Sequence, residues 1–197
     1  MGRSSRQLWK AYVEGRANGK LATSAHPSAI KLCKYRGIVM GIDPSLRATG
    51  LAVVEFAEGD RMQLHHRETI RIPAKQSSIH CLAAISERCE WVAQHFQVHH
   101  VAVEQPIYVQ NYRTALILGS AKGAALGVLA RRGYEVFEYA PLRVKQAIVG
   151  SGRASKEQVA DMVTRFLGVS DWSSADETDA AGVAICHGFT HRIPAST

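Results

Sequence analysis

The stretch GIVMGIDPS, residues 37–45, decides how the rest of the chain is read. Ile38, Val39, Met40 and Ile42 make a short apolar run of the kind that forms a strand buried on both faces. The run ends on Asp43 and is closed at once by Pro44. An ionised acid at the end of a buried strand is costly unless something positive meets it. Asp43 alone would equally suit a turn before proline, so the reading depends on whether other acids share its position.

A second stretch repeats the design. VHHVAVE is another short apolar strand, ending on Glu104 with Pro106 close behind. Between the two, LAVVEFAEG and RMQLHHRETIRI read as a hairpin around AEGD, with β-branched and aromatic residues on either side. From about Ser77, Leu82, Ile85, Cys89, Val92 and Phe96 recur at helical spacing. A long helix is expected from about Asn111 to Arg132, stopped by Gly133, and YEVFEYA reads as the last strand, broken by Pro141. Residues 155–167 form an amphipathic helix whose capping box is Ser155 with Gln158. A final helix starts near Ser174 and turns Ala180, Val183 and Ala184 toward the core. This order predicts a three-layer α/β domain with a five-stranded mixed sheet, partly antiparallel and partly parallel, flanked by helices.

The length of 197 residues suits one well-cored domain. The longest apolar stretch, LGSAKGAALGVLA, is interrupted by Lys122 and falls short of the roughly 18 residues of a membrane span. The net charge of +7 is local: residues 1–36 hold eight basic residues against Glu14 alone, and the remainder carries sixteen of each sign. Such a segment suits a flexible arm along an anionic polymer; a solvated tail and an acid-poor targeting peptide are the alternatives. Cys33, Cys81, Cys89 and Cys186 lack paired spacing and read as reduced thiols, as in the cytoplasm. The nine histidines, His187 and His191 among them, make no recognised zinc pattern.

Ligands of α/β sheets sit beyond the carboxyl ends of the strands, where Asp43 and Glu104 fall. SSADETDAAG adds Asp176 and Asp179, three apart and so on one face of the last helix. Helix capping by Ser174 and Glu177 and the helix dipole account for Asp176 but poorly for Asp179. Four clustered carboxylates would be largely protonated unless cations sat among them, and oxygen ligands of this kind suit magnesium or manganese.

Four motifs together, GIDPSLRATG, AVEQPIYVQNYRTALILGSAKGAAL, YAPLRVKQAIVGSGRASKEQVADMV and ADETDAAGVAICHG, resemble the RuvC-type Holliday-junction resolvases of the ribonuclease H-like superfamily over about residues 37–191. That resemblance implies a nuclease domain between the arm and a short tail at 192–197. It implies metal-binding catalytic acids at Asp43, Glu104, Asp176 and Asp179, with two Mg2+ ions per site for which Mn2+ can substitute. It further implies a homodimer that cuts four-way DNA junctions by paired symmetric incisions, leaving 5′-phosphate and 3′-hydroxyl ends, beside a branch-migration motor of the RuvA/RuvB type. Lys156 matches a basic residue near the scissile phosphate, and Lys145 one that binds the DNA backbone. Arg153, Asn111 and Lys122 are further candidate DNA contacts. Ser45 stands where the family commonly has glycine, and Ile107, followed by Tyr108, stands where it often has a phenylalanine at the junction centre; either could hold an unstacked base. Ala115, Gly119, Gly123 and Gly127 form a row of small residues whose expected use is packing on the chain's own sheet, while the family's helix there also helps form the dimer. A related nuclease acting on RNA or other DNA structures, and a junction-binding protein without catalysis, are the competing functions.

Overall fold

The structure, a computed structural model, describes residues 32–105 and 111–194. The central sheet consists of β2 (Gly37–Asp43), β3 (Ala48–Phe56), β4 (Met62–Arg71), β5 (His100–Glu104) and β6 (Glu135–Tyr139), in the order β4-β3-β2-β5-β6. β2 pairs antiparallel with β3 and parallel with β5, so the sheet is mixed, as the sequence predicts. β1 (Leu32–Lys34) and β7 (Arg192–Pro194) pair as a separate two-stranded sheet. Residues 32–36, read from sequence as the end of the arm, therefore include a strand and the buried Tyr35.

Alternation along the strands builds two cores. Met40, Ile42, Leu51, Val53, Val101 and Val103 face α1 (Ser78–His95) and α2 (Tyr112–Arg131). Val39, Ala52, Val54 and Ala102 face the opposite side, toward α3 (Pro141–Val149), α4 (Lys156–Leu167) and α5 (Ala175–Thr190). The Ser155–Gln158 capping box of α4 forms as expected. Helix α3 is missing from the sequence reading, which treated Pro141 only as a strand breaker. Proline is at home in a first helical turn, where its missing N–H costs nothing. Val144 and Ile148 bury one face of α3, and Gly150 ends it at φ 81°.

Two further expectations change. α2 is long and apolar enough, at mean hydropathy 1.2, to cross a membrane by length and composition, which the apparent break at Lys122 concealed. Yet its Ala121, Ala125 and Leu129 lie in the core. And Gly119, Gly123 and Gly127 do not pack on the sheet: a Cβ built on any of them meets open space. The inward row is displaced by two residues from the glycine row, which places the glycines on the outer face.

α5 is enclosed on nearly every side, with eleven buried residues from Glu177 to Gly188. It lies so close to the sheet that a Cβ on Gly41 would stand 1.9 Å from the Ala180 carbonyl oxygen, and one on Gly50 2.0 Å from that of Asp176. Gly50→Ala is therefore expected to push the start of α5 off β3. The loss should be at least the 1–3 kcal/mol typical of overpacking, read as a lowered denaturation midpoint. An alanine variant as stable as the parent would show that the helix yields at no cost.

Candidate active site

Asp43 ends β2 and Glu104 ends β5. These strands are parallel neighbours in the register Ile42 to Val103, so the two carboxylates follow side by side at one sheet edge. Asp176 and Asp179 stand in the first turns of α5. The same close contact at Gly50 that seats α5 brings both over that edge. The N-terminus of α5 is also tied to β4: Ser174 Oγ lies 2.5 Å from Thr69 Oγ1 and accepts from the Glu177 N–H. Glu177 does not complete a capping box; its buried carboxylate accepts from Ser173 N–H and faces Arg67 at 3.8 Å.

The electrostatics show the convergence directly. Burial, then the charges of Asp179, Glu104 and Asp176, push the Asp43 carboxyl up to about 7. Burial and Asp179 raise Glu104, while Lys156 and Lys145 pull it the other way. Lys156 Nζ sits 3.5 Å from Asp179 Oδ2, and that carboxylate raises its pKa. Four acids from three separate segments thus share one site with little cationic compensation.

The remaining candidates divide. Lys145, on α3, feels Glu104 and belongs to the site's edge. Arg153 is exposed on the α3–α4 loop. Asn111 caps α2, accepting from the N–H groups of Arg113 and Thr114. Lys122 is held by Glu138 at 2.7 Å and is largely covered, so it is not free to meet a phosphate. Ile107 and Tyr108 lie outside the described residues. The Ser45 substitution leaves the loop closed, because Thr49 Oγ1 bridges the Ser45 backbone N–H and carbonyl and uses none of its side chain.

Residues 39–187 match the sequence profile of the family described as crossover junction endodeoxyribonuclease RuvC. The chain belongs to that family. Over 159 residues it is 36% identical to the crossover junction endodeoxyribonuclease RuvC of Ruminiclostridium cellulolyticum, covering 80% of this chain and 95% of that one. It is 41% identical over 149 residues to that of Cupriavidus metallidurans, covering 76% of this chain and 82% of the relative. The structure of T. thermophilus RuvC in complex with a Holliday junction substrate superposes with a TM-score of 0.74 at 32% identity, covering 78% of this chain and 93% of that one. RuvC proteins are metal-dependent nucleases, which accords with an all-carboxylate site.

Sequence reasoning missed a second cluster. His100, His187 and His191 have ring nitrogens within 4.8 Å of one another. The HxxxH pair was visible on the last helix; its third member, on a distant strand, was not.

The metal-free acid site gives a stability prediction. Asp43 moves from 3.8 to about 7 on folding, so its ionisation penalises the folded state. That penalty is absent below about pH 4, grows as pH rises to about 7, and is constant above. Asp43→Asn, which mimics the protonated acid, should therefore stabilise the chelator-treated protein at pH 8 by a few kcal/mol, at about 1.4 kcal/mol per unit. The gain should fade near pH 4 in thermal melts. No gain at pH 8 would mean that neither burial nor the neighbouring acids weigh on the Asp43 charge.

Proposed function

We propose that this chain resolves four-way DNA junctions, with Asp43, Glu104, Asp176 and Asp179 as the hydrolytic centre and their metal ligands. The observation that carries this reading is the meeting of Asp43 and Glu104 at the ends of neighbouring parallel strands with the first turns of α5, which carry Asp176 and Asp179, seated over the same edge. Oxygen-only donors of this kind fit two Mg2+ ions, with Mn2+ as a substitute. When bound, such ions lower the pKa of an attacking water and neutralise charge on the leaving oxygen.

The chain's own residues supply the rest. Lys156, on the Asp179 side of the site, offers positive charge to the phosphate oxygens as negative charge builds in the transition state. Lys145, on α3, and Arg153, on the α3–α4 loop, hold the DNA backbone, and Ile107 or Tyr108 meets the junction centre. The products are a 5′-phosphate and a 3′-hydroxyl. Paired cuts require two such sites, and the outer face of α2, with Tyr112, Leu116 and Ile117 exposed beside the glycine row, supports a homodimer through that helix. The working arrangement is a nuclease domain of residues 37–191 between a DNA-binding basic segment and a short tail, acting in the cytoplasm beside a RuvA/RuvB-type motor.

With magnesium, four-way junctions should be cut in preference to linear duplex or RNA–DNA hybrid. Asp43→Asn should keep junction binding and lose at least about a hundredfold in cutting, the scale of removing one transition-state stabiliser. Equal rates on all three substrates would defeat the junction assignment, and a fully active Asn variant would defeat the metal site.

Junction binding should also weaken steeply with salt. Removing residues 1–31, which spares the buried Tyr35, should flatten that dependence. An unchanged slope would leave the segment off the DNA.

A further inference from the structure

The three histidines lie at the far end of the sheet from the acids. His100 opens β5 and Glu104 closes it, about 13 Å apart at the rise of a strand. Asp179 and His187 are separated by eight residues of α5, about 12 Å. The cluster is thus a separate piece of chemistry, built on the same strand and the same helix.

Two of its three rings already face each other through nitrogens, and the third, His191, lies alongside within reach. His187 is fully buried, and its Nδ1 lies 2.8 Å from the Tyr139 hydroxyl. That contact turns Nε2 toward His100, whose Nδ1 lies 2.9 Å away. His100 Nε2 in turn lies 3.5 Å from Glu135 Oε2. His191, one helical turn beyond His187, stacks on it with ring centroids 4.7 Å apart and meets the His100 ring edge-on at 5.1 Å. Metal-bound histidines characteristically present one nitrogen to the ion and the other to a hydroxyl, carbonyl or carboxylate that fixes the ring. Two of the three rings here have such a partner. Two imidazole nitrogens at 2.9 Å cannot both carry protons, so the pair is held in a state with a lone pair facing inward. The phenol of Tyr35 adds an independent sign: it is buried against these rings, and its hydroxyl has no hydrogen-bond partner among the described residues.

We propose that His100, His187 and His191 bind a transition-metal ion of the zinc class, which pins the C-terminal end of α5 to the start of β5. Three neutral imidazoles suit zinc, cobalt or nickel and are poor ligands for magnesium. A tetrahedral zinc with bonds of about 2.0–2.1 Å spaces its nitrogens about 3.3 Å apart. His100 and His187 therefore need to separate by only a few tenths of an ångström, while His191, stacked on His187, turns its ring to bring a nitrogen inward. The fourth position remains for water, and a bound water is the kind of partner the Tyr35 hydroxyl lacks. The ion's place is structural, away from the hydrolytic edge.

Co2+ is the probe, titrated into the chelator-stripped full-length protein. One equivalent should give the visible absorption of a tetrahedral nitrogen-rich site, be displaced by Zn2+, and persist in millimolar Mg2+. Asp43→Asn should keep this signal. His191→Ala, at a partly exposed helix end, and His100→Gln should each weaken binding by about a hundredfold or more, since loss of an outer-sphere partner alone costs 10–100-fold. Zn2+ should raise the melting temperature of the parent and not that of either histidine variant. No cobalt band in the parent would overturn the proposal, as would a band retained in both folded histidine variants. A band lost in Asp43→Asn would also overturn it, because the ion would then sit among the acids.

Discussion

The contact on which the rest depends is the approach of the α5 backbone to β2 and β3 at Gly41 and Gly50. No side chain fits between helix and sheet at either point. Both glycines sit on the same sheet face as Val39, Ala52, Val54 and Ala102. Ala180, Ala181 and Ala184 answer them from the helix. The sheet is therefore deliberately small-sided under α5, and the helix descends until its first turns reach the carboxyl ends of the strands. A single methyl group at this seam would lift Asp176 and Asp179 away from Asp43. Packing and chemistry are here one constraint.

That constraint creates an electrostatic imbalance which the rest of the fold does not relieve. Two acids near the N-terminus of α5, one buried and one half-buried, are treated differently. Glu177 has Arg67, which also holds Asp171 and stacks over Trp172, and it has the Ser173 N–H. Among the described residues Asp43 has only the distant help of Lys156 against three acids. The first kind of burial is satisfied by neighbours and fixes the loop before the helix. The second is left unsatisfied among the described residues, and an unsatisfied charge at the edge of a well-packed core calls for a ligand. The helix dipole eases Asp176 in the first turn but falls off before Asp179.

Much of this was legible because the decisive signals are local. Strand ends marked by an acid and a proline, the Ser155–Gln158 cap and the hairpin around Gly59 each follow from a few adjacent residues. The four acids could be grouped because parallel strands align their carboxyl ends by topology. What escaped required knowledge of facing. The glycine row of α2 has helical spacing whichever way it points, and only the burial of Ala121, Ala125 and Leu129 shows that it points outward. Lys122 looked like a free cation until Glu138, on the next strand, was found against it. Helix α3 is short, and its opening proline was weighed as a stop when it is a start. The histidine cluster joins positions 87 residues apart, a separation no periodicity can register.

The outer face of α2 carries the argument one step further. Leu116 and Ile117 remain exposed on a helix whose inner row is fully buried, and Gly119, Gly123 and Gly127 further along it offer no side chain to cover the backbone. Glycine in a solvent-facing helix costs stability relative to alanine, roughly 1 kcal/mol at each position, and the proposed dimer gives the three glycines a use, the close approach of another backbone. In the proposed dimer a second copy of the same helix supplies it. Because a two-fold contact is made by the same patch on both copies, one rigid helix would then fix the distance between two acid centres. Each centre lies beyond the carboxyl end of β5, the strand that leads into α2. A junction has two equivalent strands to cut, and a pair of sites spaced by a helix rather than by a loop would present them with the same geometry each time.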